Sequence, residues 1–463
     1  TIVDVQKART ALEKTYHKAG YLTVSVNIPQ QDVNDNVVQL QVLEGKVERL
    51  RVKGSNYHSL AVIKERVAEF SEGNVPHFPS VQKQLATVNR GQNRQVAPVL
   101  RPGKSPGKLE VDLKVKDKLP LHGSLEVNDR FAPNTTRTRL NGSLRYENLW
   151  QKDHSLGVSF QVSPENTDEV QVVSGTYVIP TMSGDYFAAY GVISRSNISV
   201  VGDISVLGDG TIAGFRYIHP LPKLENYYHT LTGGFDYKDF DETVSLSSGS
   251  GLDTPIAYSM FNLAYDGTFN TKQSQTKANF GINFGVRGLG NDEEEFKNKR
   301  LFAKPNFTTF RADINHLQNL PKNWKLQARI AGQVASGALV SPEQFTVGGA
   351  DSVRGYAESN ALGDKGAFAS LELRTPSIHQ LIGDYFSEAY AYTFVDAGYV
   401  KTIELDPTLE QNATSELLST GFGLKVKAIK GLYANVDYAQ ALKDSADTQD
   451  GDERVHFRLG YEW

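Results

Sequence analysis

From about residue 120 to its last residue this chain alternates. The terminal stretch RVHFRLGYEW sets Val455, Phe457, Leu459, Tyr461 and Trp463 on one face and Arg454, His456, Arg458, Gly460 and Glu462 on the other. LSTGFGLKVKA opposes Leu418, Phe422, Leu424 and Val426 to Ser419, Gly421, Lys425 and Lys427. KANFGINFGV does the same with Phe280, Ile282, Phe284 and Val286 against Asn279, Gly281 and Asn283. A period of two belongs to β-strands, whose successive side chains point to opposite faces. No helical period interrupts it. About 16 such strands can be marked, most with the roughly 9–11 residues that a tilted membrane strand needs. They run from 121–130 and 137–147 through 304–315, 323–335, 365–374, 387–398, 417–428 and 431–441 to 454–463.

A soluble sandwich also alternates, with its polar face in water and its apolar face on a second sheet. The connections distinguish the two. After residue 194, long gaps (195–209, 239–255, 287–303, 336–364, 399–416, 442–453) take turns with shorter ones (220–227, 268–274, 316–322, 375–386, 429–430). A sandwich has no reason to sort loop lengths by side, whereas an outer-membrane barrel has long extracellular loops and short periplasmic turns. The expected fold over 119–463 is therefore a transmembrane antiparallel β-barrel of about 16 strands. A mean hydropathy of −0.39 does not oppose it, because a barrel wall alternates lipid-facing and lumen-facing residues. No apolar run reaches the roughly 18 residues of a helical span, so helical spans are excluded. An even strand count returns both barrel ends to the periplasmic side, where the N-terminal region would sit.

That region has a different texture. Residues 46–118 read as β-α-α-β-β: the strand VERLRVKGS, a helix SLAVIKERVAEF with Ser59 as N-cap, a helix PSVQKQLATVNRG stopping at Gly91, then the strands RQVAPVL and KLEVDLKVKD. Residues 1–45 read as helix-β-β, the tail of a similar unit without its start. The opening TIVDVQKART is not a signal-peptide pattern and starts inside an amphipathic helix, so the chain is expected to be processed or truncated there.

Composition removes several functions. A formal charge of −4, with no dense Lys/Arg run, gives no basis for a nucleic-acid partner. Without cysteine, disulfides, thiolate metal sites and cysteine nucleophiles are excluded. The 10 histidines are scattered and form no H-E-x-x-H, so neither a metal nor a cofactor is expected. NDEEEFKNKR and DSADTQDGDER read as solvated extracellular loop faces, with divalent-cation or lipopolysaccharide contact as the alternative.

The stretch VGGADSVRGY has one arginine among glycines. It is not a phosphate loop: the Gly-Lys-Ser/Thr ending and the following helix are missing. It lies in the longest connection, 336–364. Further on, YAYTFVDAG places Asp396 in a barrel strand, where a charge belongs toward the wet lumen. By parity Tyr390, Tyr392 and Phe394 then face inward as well, and Ala389, Ala391 and Val395 face lipid. Large rings inside the barrel need something to pack on. FASLELR adds Glu372 and Arg374 to the inner face. The expectation is that the long loop folds into the lumen and Arg354 pairs with Asp396.

These residues resemble a known superfamily. SVRGY followed by FVDAG is similar to the VRGY/F loop motif and the F-x-D-x-G strand motif of the outer-membrane polypeptide translocators. The β-α-α-β-β unit resembles a polypeptide-transport-associated (POTRA) domain. FRLGYEW resembles the barrel-assembly signal carried by Phe457, Leu459, Tyr461 and Trp463, with Trp463 in place of the commoner Phe. Two POTRA units and a barrel are similar to the two-partner secretion transporters. That resemblance implies a gating set of Val353, Arg354, Gly355, Tyr356, Glu372, Phe394, Asp396 and Gly398. It also implies a Gram-negative outer-membrane location with the POTRA domains in the periplasm. The implied partner is one large exoprotein, a filamentous adhesin, a haemolysin or a contact-dependent toxin. Outer-membrane lipid, lipopolysaccharide and the barrel-assembly machinery are the other implied partners of a monomeric barrel that is not an enzyme.

The client would be captured by strand addition along an exposed edge. RQVAPVL is the candidate edge, with Arg94, Val96, Val99 and Leu100 as client-binding residues and Pro98 marking it as an edge. The alternatives are a barrel-assembly insertase, which needs a weak seam between the first and last strands, a passive diffusion porin and a surface adhesin barrel.

Overall fold

The computed structural model describes all residues except 33–36, 92, 133–134, 182, 197–198, 202–203, 207–208, 242, 246–250, 254, 291, 380–382, 406–412 and 429. Parts of the connections expected at 195–209, 239–255 and 399–416 therefore lie outside the described residues. Among the described residues no helix is long and apolar enough to cross a membrane. The chain divides into two compact units, Thr1–Leu121 with Glu147–His154, and His122–Tyr146 with Ser155–Trp463.

The first unit begins with the helix Ile2–Lys18 and the short strand pair Ser25–Asn27 and Gln41–Leu43. A three-stranded sheet follows. Its central strand Lys108–Asp117 runs parallel to Lys46–Lys53 and antiparallel to Arg94–Pro102, so the latter two are its edges. The helices Leu60–Arg66 and Phe78–Val88 cover one face, burying Ile63, Val81 and Val88 on Val47, Leu50, Val111 and Leu113. Ser59 occupies the N-cap position, but its side chain accepts no capping bond.

The second unit is built on a closed barrel of sixteen strands. In chain order they are β1 Leu121–Asn128, β2 Arg139–Leu149, β3 His154–Val162, β4 Gln171–Pro180, β5 Tyr186–Arg195, β6 Gly210–Pro220, β7 Tyr227–Phe240 and β8 Ile256–Asn270. They continue as β9 Ser274–Gly285, β10 Thr308–Asn319, β11 Lys325–Ala335, β12 Lys365–Arg374, β13 Phe386–Lys401, β14 Thr414–Ala428, β15 Leu432–Ala441 and β16 Glu453–Glu462. Neighbours in sequence are neighbours in the wall, and β16 closes the ring on β1, with Tyr461 opposite Leu125. Outward residues such as Ile330, Leu371, Val395, Phe422, Val455 and Leu459 remain exposed, which suits a wall whose solvent is lipid.

Three expectations need correction. The strand expected at 304–315 runs Thr308–Asn319, because Ala303 and Phe307 are buried in an apolar cluster before the wall begins. NDEEEFKNKR is not only a solvated loop: Glu293–Lys299 is helical, and the Asp292 side chain accepts from the backbone N–H groups of Glu294 and Glu295. Phe296 of that helix is buried against Tyr258 and Phe307. Ala389 does not face lipid. A bulge lies between Phe386 and Glu388, and the backbone carbonyl of Ala389 accepts from Ile378, so Ala389 is fully covered.

Candidate functional site

The connection between β11 and β12 turns into the barrel instead of standing above it. Its short hairpin pairs Phe345–Val347 with Ala361–Gly363. Val347, Val353, Tyr356 and Ala361 pack with Phe368, Val400, Leu417 and Ala441 of the inner wall. On β13 the inward residues are Tyr390, Tyr392, Phe394, Asp396 and Gly398, all buried, while Thr393, Val395 and Tyr399 are outward and exposed. The rings that need a packing partner thus have one.

At the tip, Arg354 is buried and its guanidinium is fully engaged. Nε donates to Asp396 Oδ2 at 2.7 Å and Nη2 to Oδ1 at 2.9 Å, a two-toothed pair. Nη1 donates to Glu372 Oε2 at 3.1 Å, Nη2 to Ser370 Oγ at 3.3 Å, and Asp437 Oδ1 lies 3.7 Å away. The guanidinium carbon sits 3.3 Å from the centre of the Phe394 ring, a cation over an aromatic face. The backbone N–H of Arg354 also donates to Asp396, whose side chain is 0% exposed. Glu372 is shared with Arg374 at 2.6 Å.

The flanking motif residues are fixed by shape. Gly355 has a φ of +92°, in the region that disfavours side chains. Tyr356 donates its hydroxyl to the carbonyls of Leu418 and Lys443. A Cβ on Gly398 would lie 2.8 Å from Val353 Cγ2, so a glycine there lets the loop tip lie flat on β13. The structure thus brings Val353, Arg354, Gly355, Tyr356, Glu372, Phe394, Asp396 and Gly398 together.

Sequence reasoning missed two further anchors of the same loop. Glu343, 2% exposed, takes the Lys238 ammonium at 2.6 Å and the Tyr258 hydroxyl at 2.6 Å. Asp364 is held by Arg300 Nη2 at 2.9 Å, and its carboxylate accepts from the N–H groups of Leu339 and Ile403. Each pair joins residues of different wall strands or loops, so no local pattern announces it. Beside the loop the lumen keeps a cavity of about 1840 Å³, lined in part by Arg216, Asp236, Asn262, Arg311, Asp313 and Arg329.

In the first unit, Arg94–Pro102 is an edge strand. Its four singled-out residues do not share one surface. Arg94 is buried, donating to the Val88 carbonyl at 2.8 Å and to Asp153 Oδ2 at 3.0 Å. Val96 lies in the sheet–helix core. Val99 is half-buried and Leu100 is exposed, bordering an open groove of about 340 Å³ with Thr23, Ser25, Leu43, Gly45 and Arg101. At the C-terminus Phe457, Leu459, Tyr461 and Trp463 all face outward.

A family model described as "Haemolysin secretion/activation protein ShlB/FhaC/HecB" matches residues 107–426. The chain belongs to this family. A second model, "POTRA domain, ShlB-type", matches residues 1–45. The ShlB/FhaC/HecB-type chain is also similar to two individual relatives. The Heme/hemopexin transporter protein HuxB of Haemophilus influenzae (strain 86-028NP) is 22% identical over 468 residues, covering 97% of this chain and 79% of that protein. The outer membrane transporter CdiB of Dickeya dadantii is 22% identical over 373 residues, covering 77% of this chain and 64% of that one.

In structure the family member resembles CdiB from Escherichia coli, with a TM-score of 0.68 and 18% identity over 100% of this chain and 85% of that chain. BamA from Haemophilus ducreyi lacking POTRA domains 1–3 gives 0.63 at 15% identity, over 100% and 94%. At such identities the structural likeness shows the fold alone, so it does not separate translocator from insertase. The family match does: this ShlB/FhaC/HecB-type protein is an outer-membrane translocator that exports a partner exoprotein, with its POTRA region in the periplasm.

Proposed function

We propose that the export cycle of this translocator turns on the Arg354–Asp396 pair. The supporting observation is a buried arginine clamped to a fully buried carboxylate, on a loop packed inside a closed barrel. With the loop held in, the lumen is partly filled. Release of the tip enlarges the path that an unfolded client needs, so the pair acts as a lock on the conducting state. The client is one large secreted protein of the adhesin, haemolysin or toxin kind. It is delivered extended, added as a strand along the edge Arg94–Pro102 near Leu100, past Val96, whose backbone N–H and carbonyl are already held by Asn89. The chain has no nucleotide-binding motif, and folding of the client outside the cell supplies the direction of transport.

The experiment is secretion of the cognate exoprotein from cells carrying the native chain or Arg354→Ala. The expected result is a loss of secreted client with unchanged barrel in the outer membrane and client retained inside. Secretion at the native level from the Ala variant refutes the lock. A diffusion porin would show no dependence on the client at all.

A further inference from the structure

The contacts of the loop tip do not stop at Arg354. The next residue, Gly355, donates its backbone N–H to Nε2 of His456 at 3.1 Å. A ring nitrogen that accepts carries no proton, so the ring proton sits on Nδ1. Nδ1 lies 3.0 Å from Asp129 Oδ2. Asp129 directly follows the last residue of β1, and its other oxygen accepts the backbone N–H of Phe457 on β16 at 2.7 Å. His456 is 3% exposed and Asp129 is 7% exposed.

The place of this relay gives it meaning. β1 and β16 form the closing seam of the barrel, with five paired positions from Ser124 opposite Glu462 to Asn128 opposite Arg458, against nine between β15 and β16. Where the β1 ladder runs out, the Asp129 carboxylate takes the next N–H of β16 in place of a backbone carbonyl. The same carboxylate orients His456, and His456 holds the loop. Arg354 itself reaches Ser370 and Glu372 on β12, Asp396 on β13 and Asp437 on β15, and neither seam strand. Among the described residues the tip Val353–Tyr356 thus reaches β16 by a hydrogen bond only through His456.

We propose that His456 and Asp129 are positioning residues that couple the loop lock to the β1–β16 seam. The inference rests on the reading of the loop tip as a lock. With the tip in place, Gly355 occupies Nε2, the proton stays on Nδ1 and Asp129 stays turned to Phe457. When the tip leaves, Nε2 loses its donor, the ring is held only by Asp129, and the carboxylate that finishes the seam is less tightly fixed. Coupling is reciprocal, so a loosened seam also loosens the tip. The Glu126–Arg458 pair and the Tyr433 hydroxyl on Glu126 hold the seam beyond the relay, so the seam is weakened at one end rather than opened throughout.

The test is hydrogen exchange of the peptides covering 121–129 and 453–463 in the full-length chain in lipid discs, with secretion measured in parallel. Arg354→Ala should speed exchange at this seam on the order of 10-fold, within the usual range of coupling between sites. In a His456→Phe background the same Arg354→Ala change should add nothing to seam exchange. His456→Asn can still reach Asp129 and His456→Gln can still reach Gly355, so each keeps one half of the relay and neither should restore the coupling. Restoration by either refutes the two-sided relay, as does an Arg354→Ala effect of equal size with and without His456. A loss of secretion in Arg354→Ala with an unmoved seam leaves the lock standing and overturns this inference. Native secretion in Arg354→Ala overturns the lock itself.

Discussion

The two partners of the central ion pair should not be equally costly to lose. In Arg354→Ala the Asp396 carboxylate, 0% exposed, loses the one cation within ion-pair distance of it among the described residues. Breaking a buried pair by removing one member costs about 3–5 kcal/mol, since the other charge stays buried and unpaired. In Asp396→Asn the guanidinium keeps Glu372 at 3.1 Å, Asp437 at 3.7 Å and the Phe394 face, and the new amide still offers an oxygen. That change should cost about 1.5–3 kcal/mol, the scale of one hydrogen bond to a charged group. The gap of about 1.5–2 kcal/mol corresponds to a roughly 10–30-fold difference in the population of released loop.

Limited proteolysis within 341–364 on the purified barrel measures that population when reclosing outruns cleavage. Arg354→Ala should be cut far faster than Asp396→Asn, and Asp396→Asn somewhat faster than the native chain. Equal cleavage of the two variants refutes the reasoning, because it would mean that Glu372 and Asp437 do not share the guanidinium. The same geometry bears on a charge exchange. Arg354→Asp with Asp396→Arg sets a new carboxylate beside Glu372 and Asp437, so it should recover only part of the lost contact.

Two further changes test the packing and the periplasmic unit. Gly398→Leu must displace Val353, because even a Cβ at Gly398 falls 2.8 Å from Val353 Cγ2; overpacking of about 1–3 kcal/mol should raise single-channel conductance, and an unchanged conductance contradicts the flat seating of the tip. In the first unit, burial works to raise the Asp117 carboxyl, but the N–H groups of Tyr57 and Asn56, the His58 ring and the Ser55 hydroxyl bring it down to about 2. A carboxyl depressed on folding stabilises the fold above its unfolded value near 3.8, and that contribution is lost as pH falls toward 2. Asp117→Asn should therefore lower the protection of residues 46–118 by about 1–2 kcal/mol at pH 7, with the gap closing below about pH 3. A gap that persists in acid refutes the assignment.

What the sequence made visible follows from the range of each interaction. The barrel was legible because alternation is written residue by residue along every strand, and one parity error would turn a lipid face inward. Arg354 and Asp396 were legible because each is chemically out of place where it stands, an arginine among glycines and a carboxylate in a membrane strand. The helix Glu293–Lys299 was not, since seven residues are too few to display a 3.6-residue period. Glu343 and Asp364 looked like ordinary loop acids, and only their partners Lys238, Tyr258 and Arg300 make them anchors. Parity sets His456 on the polar face of the last strand, yet its partner Asp129 lies 327 positions earlier. Closing a barrel makes its first and last strands neighbours, so the contacts that hold the ring shut are the ones most distant in sequence. A local reading can find a lock, but the coupling of that lock to the seam exists only once the ring is closed.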